Sequence, residues 1–125
     1  MTKSIWLSDE QHWSAQFGLF EWVVEFLMEA VDDPPTREHF QEVIDHNLPG
    51  VDVRKMPVRV REQVMRALAE DLETAVDSSL APVVKTQLPE SQGRMRLGHL
   101  KGLGLMARDV LRRQAERTDQ RETGR

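Results

Sequence analysis

Residues 8–31, SDEQHWSAQFGLFEWVVEFLMEAV, carry the periodicity of one long helix. Ser8 is a candidate N-cap, with Gln11 three positions on completing a capping box. At 100° per residue, Trp13, Phe17, Phe20, Val24, Leu27 and Val31 fall within about 40° of one line, which marks a core seam. Leu19, Trp22, Val23 and Phe26 form a second apolar set to one side of it. Glu21, Glu25 and Glu29 are left as the polar stripe. An apolar arc this wide suits a central helix that touches two or more neighbours. The other use of its outer side is a homodimer contact through Trp22 and Phe26.

Beyond it, Asp33-Pro34 is an N-cap residue followed by a proline in the first turn, where the missing N–H costs nothing. Asn47-Leu48-Pro49-Gly50 then closes a helix over 34–47. A third helix is expected over 57–77 and a fourth over 93–116. A short irregular or helical connector containing Pro82 is expected near 80–90. No segment combines sustained alternation, β-branched residues and a hairpin turn, so strands are not expected. The fold class is therefore all-α, a single-domain bundle of four main helices over 1–116. The polar stretch 117–125 is expected as a disordered tail. The expected core comprises Trp13, Phe17, Phe20, Val24, Leu27, Phe40, Ile44, Val64, Leu68, Leu72, Leu100 and Leu111.

A length of 125 residues fits one core, and the absence of cysteine removes disulfides, thiolate metal sites and cysteine nucleophiles. No apolar run approaches the roughly 18–20 residues that span a bilayer. The first residues lack the apolar core of a signal peptide, so a cytoplasmic location and no membrane partner are expected. Charge is segregated. Residues 1–53 hold Lys3 and Arg37 against eleven acids, a net −9, whereas residues 54–125 carry a net +5. An acidic face of this kind suits a basic protein and repels nucleic acid.

Few constellations offer chemistry. His39, Glu42 and His46 lie within about 60° of arc on the second helix and form a candidate metal set. They match neither His-Glu-x-x-His nor the Glu-x-x-His of di-iron bundles, so no metal or other cofactor is assigned. No serine sits in a Gly-x-Ser-x-Gly turn, tyrosine is absent, and no catalytic residue is assigned. Gly98-His99-Leu100-Lys101-Gly102-Leu103-Gly104 lacks the spacing of a phosphate loop. If that stretch is helical, Gly98 and Gly102 share a side that a neighbouring backbone can approach. Arg94, Lys101, Arg108 and Arg112 then form one basic row, a candidate anion-binding face. No aromatic residue follows Phe40, so base stacking is not available beside it. Arg61 stands apart, a cation in the middle of an otherwise apolar helix face.

The reading that follows is a non-enzymatic helical interaction module. Its partner-binding face would be Glu21, Glu25, Glu29, Asp32 and Asp33, and it would occlude a basic partner. In size and charge the chain resembles small bacterial immunity proteins, which implies a toxin or nuclease as that partner and carries no residue across. The alternative is a nucleic-acid-associated regulator that uses the basic row. A metal-dependent helical enzyme comes third.

Overall fold

The computed structural model describes residues 2–123, with the backbone alone at Phe17 and 118–123. It is mostly helical, and it carries a small sheet that corrects the all-α expectation at two places. Strands β1 (Thr2–Trp6) and β2 (His12–Gln16) form an antiparallel hairpin, with Ile5 opposite Trp13 and Trp6 opposite His12. Strand β3 (Gly50–Asp52) pairs parallel to β1, giving the order β2-β1-β3.

The hairpin hides inside a helical pattern for a simple reason. Trp13 and Phe17 are four residues apart, an offset that satisfies a period of 2 as well as one of 3.6. In the structure Trp13 and Ala15 alternate inward with His12 and Gln16 exposed, which is the strand period. Ser8 does accept the N–H of Gln11, at 3.1 Å, as a cap would. It closes a turn instead, because the N–H groups of Leu7 and Ser8 both donate to the Gln11 carbonyl. Helix α1 (Phe17–Ala30), with Gln16 at its N-cap, therefore begins eight residues later than the capping signal suggests.

Phe20, Val23, Val24 and Leu27 of α1 are all buried, and the helix packs on β1, β2, α2 (Pro34–Asp45) and α3 (Val58–Arg66). It is the central helix that its wide apolar arc requires. Asp33 caps α2 by accepting from the Thr36 N–H at 3.2 Å. The expected stop is also present: Asn47 takes a left-handed φ of 53°, and the Leu48 N–H returns to the Val43 carbonyl at 3.0 Å.

From Val58 the chain stays helical as far as Gln87, through α3, a π turn Ala67–Asp71, α4 (Leu72–Ala75), a second π turn Val76–Leu80 and α5 (Ala81–Gln87). The connector near 80–90 is thus mostly helix. Its second π turn ends just before Pro82, whose ring would collide with the carbonyl four residues back in a regular helix. After a break at Leu88-Pro89, α6 (Glu90–Thr123) runs straight through the glycine-rich stretch. It also continues through most of the expected polar tail, and Gly124 and Arg125 lie outside the described residues.

Trp13, Phe20, Val24, Leu27, Phe40, Val64, Leu68, Leu72 and Leu100 are buried as expected, whereas Ile44 and Leu111 are half-buried against the core. The side chain of Phe17 lies outside what is described. Backbone approach also differs from expectation. A Cβ on Gly98 or Gly102 would meet nothing, while one on Gly104 would come within 3.2 Å of the Leu68 carbonyl oxygen. A Cβ on Gly50 would collide with the Ser4 carbonyl of the paired strand. Gly98→Ala and Gly102→Ala are each expected to raise stability by about 0.4–1 kcal/mol in urea unfolding. Gly50→Ala is expected to lower it by about 1–3 kcal/mol, the usual range for overpacking.

Candidate functional site

The π turn Ala67–Asp71 governs where the basic row goes. A turn that reaches five residues back skips one regular bond of the helix ladder, so a carbonyl there is open to another donor. Arg108 supplies one: its Nε donates to the Ala69 carbonyl at 2.7 Å, and its Nη2 lies 3.3 Å from Glu73 Oε2. One α6 turn earlier, Gly104 lets the two backbones come close enough for this contact. Lys101 reaches Asp77 at 3.1 Å, Arg112 pairs with Asp109, and Arg94 lies 3.9 Å from Glu90. Every member of the row thus has a carboxylate on α6 itself or on the 58–87 rod, and none reaches α1.

The acidic face divides into two groups. Asp32 accepts from Arg59 at 2.9 Å and from Gln63 at 3.1 Å. The Gln63 hydrogen bond is the leading cause of a carboxyl pKa below the usual 3.8. Asp33 is engaged in capping α2, with Arg59 3.9 Å away. In contrast, half-buried Glu21 and exposed Glu25 and Glu29 have no ion pair or hydrogen bond among the described residues. Trp22 and Phe26 stack on one another with centroids 6.0 Å apart and planes 7° from parallel. With Glu25, Glu29 and the facing Ala75 and Ser79 they line a shallow groove of about 200 Å³. The opposite wall, from α4 and the second π turn, has no signature in the sequence.

His39, Glu42 and His46 are all exposed. Among the described residues no three His, Asp or Glu side chains come together as a metal-binding group, so this candidate set is not assembled. His99 is taken up in packing. Its ring stacks on Trp13 at 5.0 Å, its Nε2 bonds the Ser14 carbonyl, and its own carbonyl accepts from the Trp13 indole at 3.0 Å.

Sequence reasoning missed Arg54, which organises the sheet end. It holds Asp52 through two bonds of 2.8 Å, reaches Asp9 at 3.3 Å, and lies over the Trp6 ring at 4.8 Å. Trp6 has His12 stacked against it as well, at 4.4 Å. Gln11 donates to Asp109 at 2.6 Å and so ties the hairpin turn to α6. The Arg54 side-chain hydrogen bond holds the Asp52 carboxyl below its usual range, and those from Gln11 and then Arg112 do the same for Asp109. No helix among the described residues is long and apolar enough to cross a membrane. No family model, no curated protein and no solved structure matches this chain.

Arg108→Met is expected to lower stability by about 1 kcal/mol, the net contribution of a partly buried hydrogen bond. A carboxylate with a depressed folded-state pKa contributes stability that is present above its unfolded value and lost as pH falls through the folded one. Thermal melts should therefore show Tm declining as the pH drops below 3.8, the ordinary value for Asp52 and Asp109. An Asp52→Asn/Asp109→Asn double variant should start from a lower Tm at neutral pH and show a shallower acid limb.

Proposed function

We propose that the chain is a non-enzymatic interaction module whose α1 face, built on Glu21, Glu25 and Glu29, engages a cationic segment of a basic protein partner and occludes it. The observation that carries this reading is the leftover charge. The protein's own basic row pairs elsewhere, and the three glutamates, spaced every four residues on one helix, have no counter-charge among the described residues. Like charges at i,i+4 repel by a few tenths of a kcal/mol per pair, so local helix energetics do not account for the stripe.

The groove beside it adds selectivity. An arginine entering between Glu25 and Glu29 would meet two carboxylates and the faces of Trp22 and Phe26, which favours a guanidinium through both charge and ring quadrupole. Asp32 and Asp33, given to Arg59 and to the α2 cap, would serve as rim charges. A homodimer through Trp22 and Phe26 would bring the two copies' glutamates together, which argues against that use of the groove. The nucleic-acid alternative would have to break the pairs that Lys101 and Arg108 make with Asp77 and Glu73.

An oligoarginine peptide serves as the probe. Calorimetric titration should show association that weakens as salt rises, as expected for exposed charges. Glu21→Gln/Glu25→Gln/Glu29→Gln should reduce it about tenfold or more, while Glu38→Gln/Glu42→Gln/Asp45→Gln on α2 changes it little. Tm should hold or rise in the α1 triple variant. Equal loss in both triple variants, or a clear drop in Tm with unchanged binding, contradicts the proposal.

A further inference from the structure

Between the 8–11 turn, the start of α3 and the C-terminal half of α6 lies a cleft of about 370 Å³ that shares no residue with the α1 face. Four arginines line it. Arg54 is held by Asp52 and Asp9, and Arg113 by Glu10 at 3.2 Å and Asp109 at 3.1 Å. Arg61 and Arg117 have no hydrogen bond or ion pair among the described residues. The two acids on the lining, Asp9 and Glu10, each already have an arginine, so among the described residues the cleft presents two unmatched guanidinium groups.

Arg61 is the informative one. Its position on α3 falls on the core side, between the lines of Val60 and Met65, both buried, and its side chain is half-buried. A methionine or leucine there would cover the same apolar surface as the arginine's aliphatic stem. A cation retained in such a place without a carboxylate is explained if an anion completes the site. Ser8 supplies a further donor. Its Oγ accepts the N–H groups of Glu10 and Gln11, which leaves the hydroxyl hydrogen to point elsewhere. Leu7 and Val110, both buried, give the cleft an apolar side.

We infer that this cleft binds a phosphate group, that of a small phosphomonoester, with Arg61 and Arg117 gripping the phosphate oxygens, Ser8 donating to it, and the organic part resting on Leu7 and Val110. Two guanidinium groups match a dianion in charge, and their fork geometry fits phosphate oxygens. The carboxylates Asp9 and Glu10 also line the cleft, and their pairs with Arg54 and Arg113 limit their repulsion of the ligand.

The test is an amide chemical-shift titration of the full chain with inorganic phosphate, phenyl phosphate and benzoate. Saturable shifts confined to residues 7–11, 61 and 110–117 are expected, with phenyl phosphate tighter than benzoate. Phenyl phosphate tighter than inorganic phosphate identifies an ester site, and equal affinity identifies free phosphate as the source of the same group. Arg61→Met should weaken phosphate binding about tenfold or more, the scale of a lost charged hydrogen bond. Arg117→Gln, an exposed change on α6, should weaken it as well and guards against a folding defect at Arg61. Benzoate binding as tightly as phenyl phosphate, shifts scattered over the other arginines, or affinity unchanged in both variants overturns the inference.

Discussion

The contact on which the arrangement depends is the one between Arg108 and the Ala69 carbonyl in the first π turn. It couples three things that are otherwise independent. The π turn opens the carbonyl, Gly104 brings α6 against Leu68, and the guanidinium fills the opened position and continues to Glu73. A hydrogen bond of this kind contributes about 0.5–1.5 kcal/mol net, so the arginine ties α6 to the π turn at a modest but specific gain. With α6 in this register, Lys101 faces Asp77, and the positive row is matched by two acids of the 58–87 rod and by Glu90 and Asp109 of α6 itself.

The electrostatic character of the surface follows. With the basic row compensated locally, the acidic residues of the first half have no large cationic surface of their own to meet. Arg59 takes Asp32, Arg54 takes Asp52 and Asp9, and Arg113 takes Glu10. Glu21, Glu25 and Glu29 on α1 remain without a cation among the described residues, as do Glu38, Glu42 and Asp45 on α2, and it is the α1 stripe that borders the groove of Trp22 and Phe26. Exposed ion pairs contribute little to stability, about 0–1 kcal/mol, so these pairings matter for where field is left over more than for how firmly the domain holds.

Most of the helical framework was legible in the sequence, because α2, the rod and α6 carry long apolar seams with caps and prolines at their ends. The central role of α1 was legible from the width of its apolar arc. The hairpin was not, since the four-residue spacing of Trp13 and Phe17 fits an alternating pattern and a helical seam equally well, and the Ser8–Gln11 hydrogen bond serves a turn as readily as a cap. Strand β3 is three residues long, too short for any periodicity, and its pairing depends on Gly50 approaching Ser4. The π turns were not legible either. They change the phase of the helix at Ala67 and Val76, and with it the side from which acids meet α6. The acidic stripe was visible from its spacing of four, but its lack of internal partners and the groove wall of Ala75 and Ser79 are tertiary facts. The same holds for Arg61: its odd place on an apolar face was evident, whereas the cleft in front of it required the fold.

Lys101 and Arg108 are matched by the rod, Arg94 and Arg112 by α6 itself, and none of the four by α1. Double-mutant cycles in urea unfolding test this pairing most directly, because they isolate a pairwise coupling from the other effects of each change. Arg108→Met combined with Glu73→Gln should show a favourable wild-type coupling of about 0.2–1 kcal/mol. Arg108→Met combined with Glu25→Gln should show none. Coupling to Glu25 with none to Glu73 would mean that the acidic stripe is paired within the domain, and it would contradict the account.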